Sequence, residues 1–245
     1  DALTLSLGRS MVLTSNSGSR QVWIIIAERL PPTILLFTTT TVLMFFIELF
    51  AGLYLSRKYG TLPDKLAVSL APLSSIPGWF YGIFLIMIFA GWLRLLPWGG
   101  MVDAPPPEDP IMYGLSVLKH MVLPMLSWFI AYIPIGVYNM RTFFLMFSTE
   151  EYVEYAQARG IPSRIIERRY VLKPTLPPII TSFVLTLISS WMGAIVTETV
   201  FNWPGLGTLL YAAINPANPD PPVVIGITTI YAYLLVISVI ALEIA

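Results

Sequence analysis

Residues 33–55 form a run of 23 in which one side chain, Glu48, can carry a charge. Crossing the hydrocarbon core of a bilayer takes about 20 mainly apolar residues in a helix. In lipid, every backbone N–H and C=O must be bonded within the protein, which a helix does inside one segment. The same pattern returns at 121–144, with only Arg141 charged, at 179–200, with only Glu198, and at 223–242, with no charge. Residues 66–96 are apolar but too long for one straight crossing. Pro72 and Pro77 divide them into a short helix ending at Ser75 and a span over 77–96. The expectation is an all-α integral membrane protein with five transmembrane helices, its span at 121–144 broken by Pro124 and Pro134.

Composition narrows the chemistry. The chain is 56% hydrophobic and 11% charged, against roughly 25% charged in soluble domains. Net charge is zero, so no global field points to nucleic acid. Without cysteine there is no disulfide framework and no thiolate site. A single histidine, His120, and no paired carboxylates within one span leave little for an intramembrane enzyme. The P-loop pattern G-x-x-x-x-G-K-S/T does not occur, so the sequence carries no nucleotide cradle of that kind.

Charge asymmetry orients the spans. Arg57, Lys58, Lys65, Arg141, Arg159, Arg164, Arg168, Arg169 and Lys173 fall on one set of connections, whereas 97–120 and 201–222 hold only Lys119. The positive-inside rule puts the first set in the cytoplasm, with the N-terminus outside and the C-terminus inside. Residues 1–21 read as an exposed external segment, and 21–30 as a short amphipathic piece that stops at Pro31-Pro32. The Gly-, Pro- and Asp-rich stretch 99–118 reads as an extracytoplasmic loop. His120, beside Lys119, reads as an interfacial side chain. A chain that starts at Asp1, ends just past an apolar run and has an odd span count is expected to be a piece of a six-span protein lacking its first span and C-terminal tail.

The longest polar island is 148–178, with five of the 14 basic residues and four of the 14 acidic ones. It reads as two short helices joined at a glycine. Ser148 and Glu151 have capping-box spacing. Tyr152, Tyr155, Ala156 and Arg159 recur at helical spacing, and Gly160 follows where a left-handed stop is common. Pro162 can open the second helix, and Pro174 closes it. On charge alone, the same stretch could be an ordinary cytoplasmic loop.

This segment resembles the cytoplasmic EAA loop of ABC-importer permeases, E-A-A-x-x-x-G followed by I-x-L-P. Glu154, Tyr155, Ala156 and Gly160 take the E, A, A and G places, and Tyr170 and Leu172 the I and L places. Lys173 stands where the pattern has Pro. The string EYVEYAQARG is closer to the peptide/nickel (dipeptide and oligopeptide) branch, as is ERLPPT at 28–33. A second resemblance to that branch lies in ETVFNWPGLG at 198–207 with NPDPPVV at 218–224.

Independently of resemblance, Phe201, Trp203, Leu206, Leu209 and Leu210 are too apolar for an open loop. Pro204-Gly205 favours a turn, with Gly207 close behind. A scoop-like re-entrant helix over 201–222 would shelter these side chains, and a plain loop is the alternative. Glu198 reads as an interfacial or capping carboxylate. Glu48 is the odd residue, since an ionised side chain at that depth costs roughly 2.5–3.5 kcal/mol. It is either neutral and bonded to a Thr or Ser of a neighbouring span, or it lines a wet path. The resemblance assigns it no role.

The resemblance implies a single permease domain over 1–245, in the plasma membrane of a prokaryote, with a coupling loop at 148–175. It implies alternating access driven by separate ATP-binding cassette subunits that hold ATP and Mg, with no cofactor on this chain. Implied partners are a second, homologous permease forming a heterodimer, and an external substrate-binding protein. The implied cargo is a peptide, nickel chelate or related small solute. The residues expected to couple to the ATPase are Tyr152, Glu154, Tyr155, Ala156, Arg159 and Gly160. A secondary transporter or channel using Glu48 as an ion or proton site is the alternative.

Overall fold

The computed structural model describes residues 7–192 and 195–244. Residues 1–6 of the 1–21 segment, 193–194 of the 179–200 span, and residue 245 lie outside the described residues. The described chain is helical, with one isolated bridge between Arg9 and Gln21.

Helix α1 (Val22–Arg57) has 36 residues and runs through Pro31 and Pro32 without a break. The expected boundary at 30 is therefore absent. A helical proline orphans a carbonyl one turn back and survives where neighbours compensate. Here Trp203 packs with Leu36 and Phe37 just after the prolines, and its Nε1 donates to Pro32 O at 2.9 Å, tying this part of α1 to the segment before α9. At 1.5 Å per residue, α1 measures about 54 Å, longer than a hydrocarbon core of about 30 Å. Its first turns thus pack against protein: Val22, Ile25 and Ile26 are buried with Leu206, Ala213, Val223 and Ile227.

Helix α2 (Leu62–Leu70) continues as a 3-10 turn (Ala71–Ser75). α3 (Gly78–Leu85) then departs at 91° and ends in a π-helical turn (Ile86–Trp92). The break at Ile76-Pro77 falls where the prolines placed it. α4 (Pro110–Ser148) has 39 residues and starts inside the stretch expected to be a loop. Asp109 caps it by accepting from Met112 N at 2.9 Å, and Pro110 sits at the first helical position, where no amide is missed. Pro124 and Pro134 do not interrupt it. α1 and α4 approach closely at Gly52, where a Cβ would come within 2.9 Å of Arg141 N. His120 is enclosed within the protein on α4 rather than exposed on its surface, its Nδ1 donating to Ser116 O at 2.8 Å.

Then come α5 (Glu151–Ala158), α6 (Ser163–Ile166), a π-helical stretch (Glu167–Leu172) and α7 (Lys173–Met192). The chain closes with α8 (Ile195–Val200), α9 (Leu206–Ala213) and α10 (Pro221–Ile244). Pro174 does not close a helix, since helical structure is continuous over Ser163–Trp191. The wider π turn ahead of it gives the proline ring room, and Thr175 Oγ1 donates to Leu172 O at 2.8 Å.

Among the described residues, four helical stretches are long and apolar enough to span a membrane, and the bent α2–α3 pair counts as a fifth if taken as one broken span. Large side chains such as Phe46, Phe50, Ile225 and Ile237 stay exposed on their outer faces, as suits contact with lipid. The protein is a multi-pass membrane protein.

Candidate functional site

Three places carry polar chemistry: a hook between α4 and α7, a latch at the opposite end of the bundle, and a cavity between α1, α4 and α7.

The hook begins at Glu150, not in a capping box. Ser148 is the last residue of α4, and its hydroxyl donates to Leu145 O at 2.7 Å. The other end of α5 behaves as its glycine predicts. Gly160 has φ +73°, Gly160 N donates to Gln157 O at 2.9 Å, and Ile161 N donates to Ala156 O at 3.2 Å. This paired 5→2 and 6→1 arrangement turns the chain sharply into α6. Val153, Ala156, Ile166 and Val171 are buried together, with Phe147, Ile161 and Tyr170 packed around them.

The expected face therefore divides. Ala156 points into the hook's own core, only 2% exposed, because α6 folds back over the turn that Gly160 permits. Tyr152, Glu154, Tyr155 and Arg159 remain exposed, with the Arg159 guanidinium 5.8 Å from the Tyr155 ring. Val153 was overlooked. The signal for it was an i, i+3 pair with Ala156 in an otherwise polar helix.

Two ion pairs tie this end of the bundle together. Arg57, at the end of α1, reaches Glu167, its Nε donating to Oε1 at 2.6 Å. Arg141 of α4 grips Asp64 of α2 through both Nε and Nη2, the latter at 2.8 Å. Asp64 also accepts from Gly60 N at 2.9 Å, and the Tyr59 ring lies 5.1 Å from the guanidinium. Sequence reading saw Arg141 only as an orientation marker.

At the opposite end, α9 is buried along one side through Leu206, Gly207, Leu209 and Ala213, with Phe201 and Trp203 enclosed just before it. Residues Leu206–Ala213 are thus helical and packed against α1 and α10. Glu198, fully buried, supplies the missing cap. Its Oε2 accepts from Gly207 N at 2.7 Å and Thr208 N at 3.1 Å, and its Oε1 from Thr33 Oγ1 at 2.6 Å. Thr33 Oγ1 in turn accepts from Leu206 N at 2.7 Å. Two side chains, Glu198 and Thr33, thus close on the first turn of α9 and accept from three of its amides. Gly205, between Pro204 and Leu206, is obligatory on space, since a Cβ there would overlap both Glu198 and Thr33.

The segment expected to be an exposed tail is held down from residue 10 to 13. Asp220 accepts from the Ser10 hydroxyl, Met11 N (3.2 Å), Val12 N (3.0 Å) and Leu13 N (2.9 Å). Burial pushes its carboxyl pKa up, but these four donors outweigh that and hold it below the usual carboxylate range. The strap's stabilisation is therefore complete above about pH 4 and is lost as pH falls through the lowered value. Exchange at the Met11–Leu13 amides, taken relative to the intrinsic rate at each pH, should be slow at pH 6 and become faster in acid. Asp220→Ala should accelerate it at least about tenfold at pH 6, since each orphaned buried donor costs roughly 1–3 kcal/mol. Equal protection in the variant would show that Asp220 does not hold the strap.

The third place is a cavity of 320 Å³ lined by residues of α1, α4 and α7, including Glu48, Thr41, Asn139, Ser182 and Thr186. Glu48 packs against Gly136 of α4, where any Cβ would overlap the carboxylate. Among the described residues no hydrogen bond reaches Glu48, so the expected Thr or Ser partner is absent. Nor, among those residues, does any group of three or more His, Cys, Asp or Glu come together.

Comparison with known proteins places this architecture. Residues 48–244 match the family described as binding-protein-dependent transport system inner membrane component. The chain is 33% identical over 195 residues to the di/tripeptide transport system permease protein DppB of Pseudomonas aeruginosa, covering 72% of this chain and 56% of that protein. It is also 33% identical over 179 residues to an Escherichia coli protein named "Probable D,D-dipeptide transport system permease protein DdpB", covering 66% of this chain and 52% of that protein. The matched stretch thus spans little more than half the length of these relatives. A chain of the MetNI methionine ABC transporter, solved in inward facing conformations, superposes with a TM-score of 0.64 at 16% identity, over 89% of this chain and 93% of that one. At that identity the likeness concerns the fold alone. With the family match running from the middle of α1 to the end of α10, the chain belongs to the binding-protein-dependent transport system inner membrane components.

Proposed function

We propose that this protein is a permease subunit of an ATP-driven importer, carrying peptides or related small solutes across a prokaryotic plasma membrane. The hook docks on a separate ATP-binding cassette subunit, which holds ATP and Mg. A second, homologous permease completes the path, and an external binding protein delivers the cargo. The basic residues of the hook support a cytoplasmic position for it, with α9 at the outer face.

One observation carries the reading. The hook is a small body with its own apolar core, it presents Glu154, Tyr155 and Arg159 outward, and α6 leads without a break into the spanning helix α7. A push on α5 therefore reaches a membrane span through rigid structure. In support, two similar proteins carry peptide-transport names. Coupling of this kind is chemistry-free for the permease: its residues dock, pack and pivot.

The test is uptake of a radiolabelled dipeptide, dialanine, by sealed vesicles containing the complete transporter. Uptake should require ATP inside the hook-side compartment. Tyr155→Ala with Arg159→Ala should lower both ATP hydrolysis and uptake at least about tenfold, a loss of about 1.4 kcal/mol or more in docking, while leaving the protein in the membrane. Uptake sustained by an ion gradient without ATP would overturn this in favour of secondary transport through Glu48.

A further inference from the structure

The cavity between α1, α4 and α7 contains an acid with nothing to answer it. No Lys, Arg or His lines it, and among the described residues none hydrogen-bonds Glu48. On the same helix, about two turns before Glu48, Thr41 is 3% exposed and its Oγ1 lacks any hydrogen-bond partner. Buried hydroxyls are almost always paired, and an orphan one lining a cavity marks a place for a polar visitor. Asn139, Ser182 and Thr186 add neutral polar groups to the same walls. Apart from Thr142, the remaining walls are apolar, with the Phe45 and Phe183 rings 4.2 Å apart between α1 and α7.

This lining discriminates. A carboxylate or phosphate would meet Glu48 with no compensating base. A divalent metal would find one acid where it needs several oxygen ligands in a rigid shell. A protonated amine suits it: the ammonium donates to Glu48 and to the Thr41 hydroxyl, and aromatic faces favour a cation nearby. An apolar body attached to that amine fills the rest of the cavity, whose 320 Å³ falls within the range of small-molecule sites. Gly136 is what lets α4 approach without crowding the carboxylate.

We infer that the Glu48 cavity is a binding site for the protonated amine of a small, mainly apolar solute, of which the N-terminal end of a short neutral peptide is an example. This rests on the proposed transport function for its purpose, but not for its test. Peptide substrates keep a free ammonium at one end, and a lone carboxylate in the hook-side half of the bundle would hold that end during passage.

The test uses the full-length protein in native membranes, without nucleotide. Dicyclohexylcarbodiimide forms a stable N-acylurea on a carboxyl group in an apolar setting, and mass spectrometry reads the adduct on Glu48. Alanyl-alanine amide, a cation at neutral pH, should slow that labelling about threefold at twice its dissociation constant. N-acetyl-alanyl-alanine amide, matched in shape but neutral, should not. Glu48→Gln should abolish the adduct, and Thr41→Val should keep the adduct but weaken protection by the amine. Absence of an adduct on Glu48, or equal protection by the two peptides, would overturn the site. So would protection by sodium chloride alone, which would make it a metal-cation site. Because no ATP hydrolysis is read, failure here leaves the ATP-coupling reading standing.

Discussion

Asp64→Ala is expected to destabilise the protein by about 3–5 kcal/mol, the range for removing one partner of a buried ion pair. Asp64 and Arg141 are 4% and 12% exposed at their side chains, and the guanidinium meets the carboxylate through two donors, Nε and Nη2. Deleting the acid leaves that guanidinium beside the Tyr59 ring with no counter-charge, and frees Gly60 N as well. The lesion falls where α2 meets α4, so it should loosen the end of the bundle from which the hook projects. Thermal unfolding in mild detergent should show a midpoint lowered by about 10 °C or more. The double variant Asp64→Leu with Arg141→Met should recover most of the loss, because two apolar side chains need no counter-charge. A single variant as stable as the native protein would show that the pair is solvated and worth little.

Glu198→Ala is expected to act at the other end, and nearly as strongly. The carboxylate receives Gly207 N, Thr208 N and the Thr33 hydroxyl in a fully buried setting. Its removal orphans two backbone donors at the start of α9, each worth roughly 1–3 kcal/mol. A loss of about 3 kcal/mol follows, partly relieved if Thr33 turns to Arg29 O. The effect should be local as well as global. Hydrogen exchange over Leu206–Ala213 should rise about a hundredfold, while that of Val153–Ala158 should be unchanged. Glu198→Gln keeps one acceptor oxygen and should cost less than half as much. Unaltered exchange in α9 would mean that the helix is held by packing of Trp203, Leu206 and Leu209 alone.

Much of this architecture was readable in the chain because lipid leaves so few options. Apolar runs of 20 or so residues dictated the spans, and Pro77 marked the bend that α2 and α3 make. Gly160 was legible because a left-handed stop at the end of a polar helix has few other solutions. Proline elsewhere misled. Pro31, Pro32, Pro124, Pro134 and Pro174 each suggested an end or a break, yet the helices continue, because proline is tolerated inside membrane-spanning helices that are packed against neighbours, and at Pro174 a π-helical turn precedes the ring. Pairings across long sequence separations left no local trace. Asp64 finds Arg141 77 residues away, and Asp220 finds Ser10 210 residues away. The inward turn of Ala156 was hidden for a milder reason: helical spacing groups Tyr152, Tyr155, Ala156 and Arg159, but the fold of α6 decides which edge of that group is covered.

The central claim is that the outward face of α5 touches an ATP-binding subunit. A photo-crosslinking amino acid, benzoylphenylalanine, placed at Tyr155 in the full-length protein in native membranes tests it most directly, with the same probe at Val153 as the buried control. The account predicts a crosslink from position 155 to a protein whose sequence carries the G-x-x-x-x-G-K-S/T nucleotide loop, and none from position 153, which lies 1% exposed in the hook's core. No crosslink from position 155, or a crosslink only to lipid or to another permease, would contradict it.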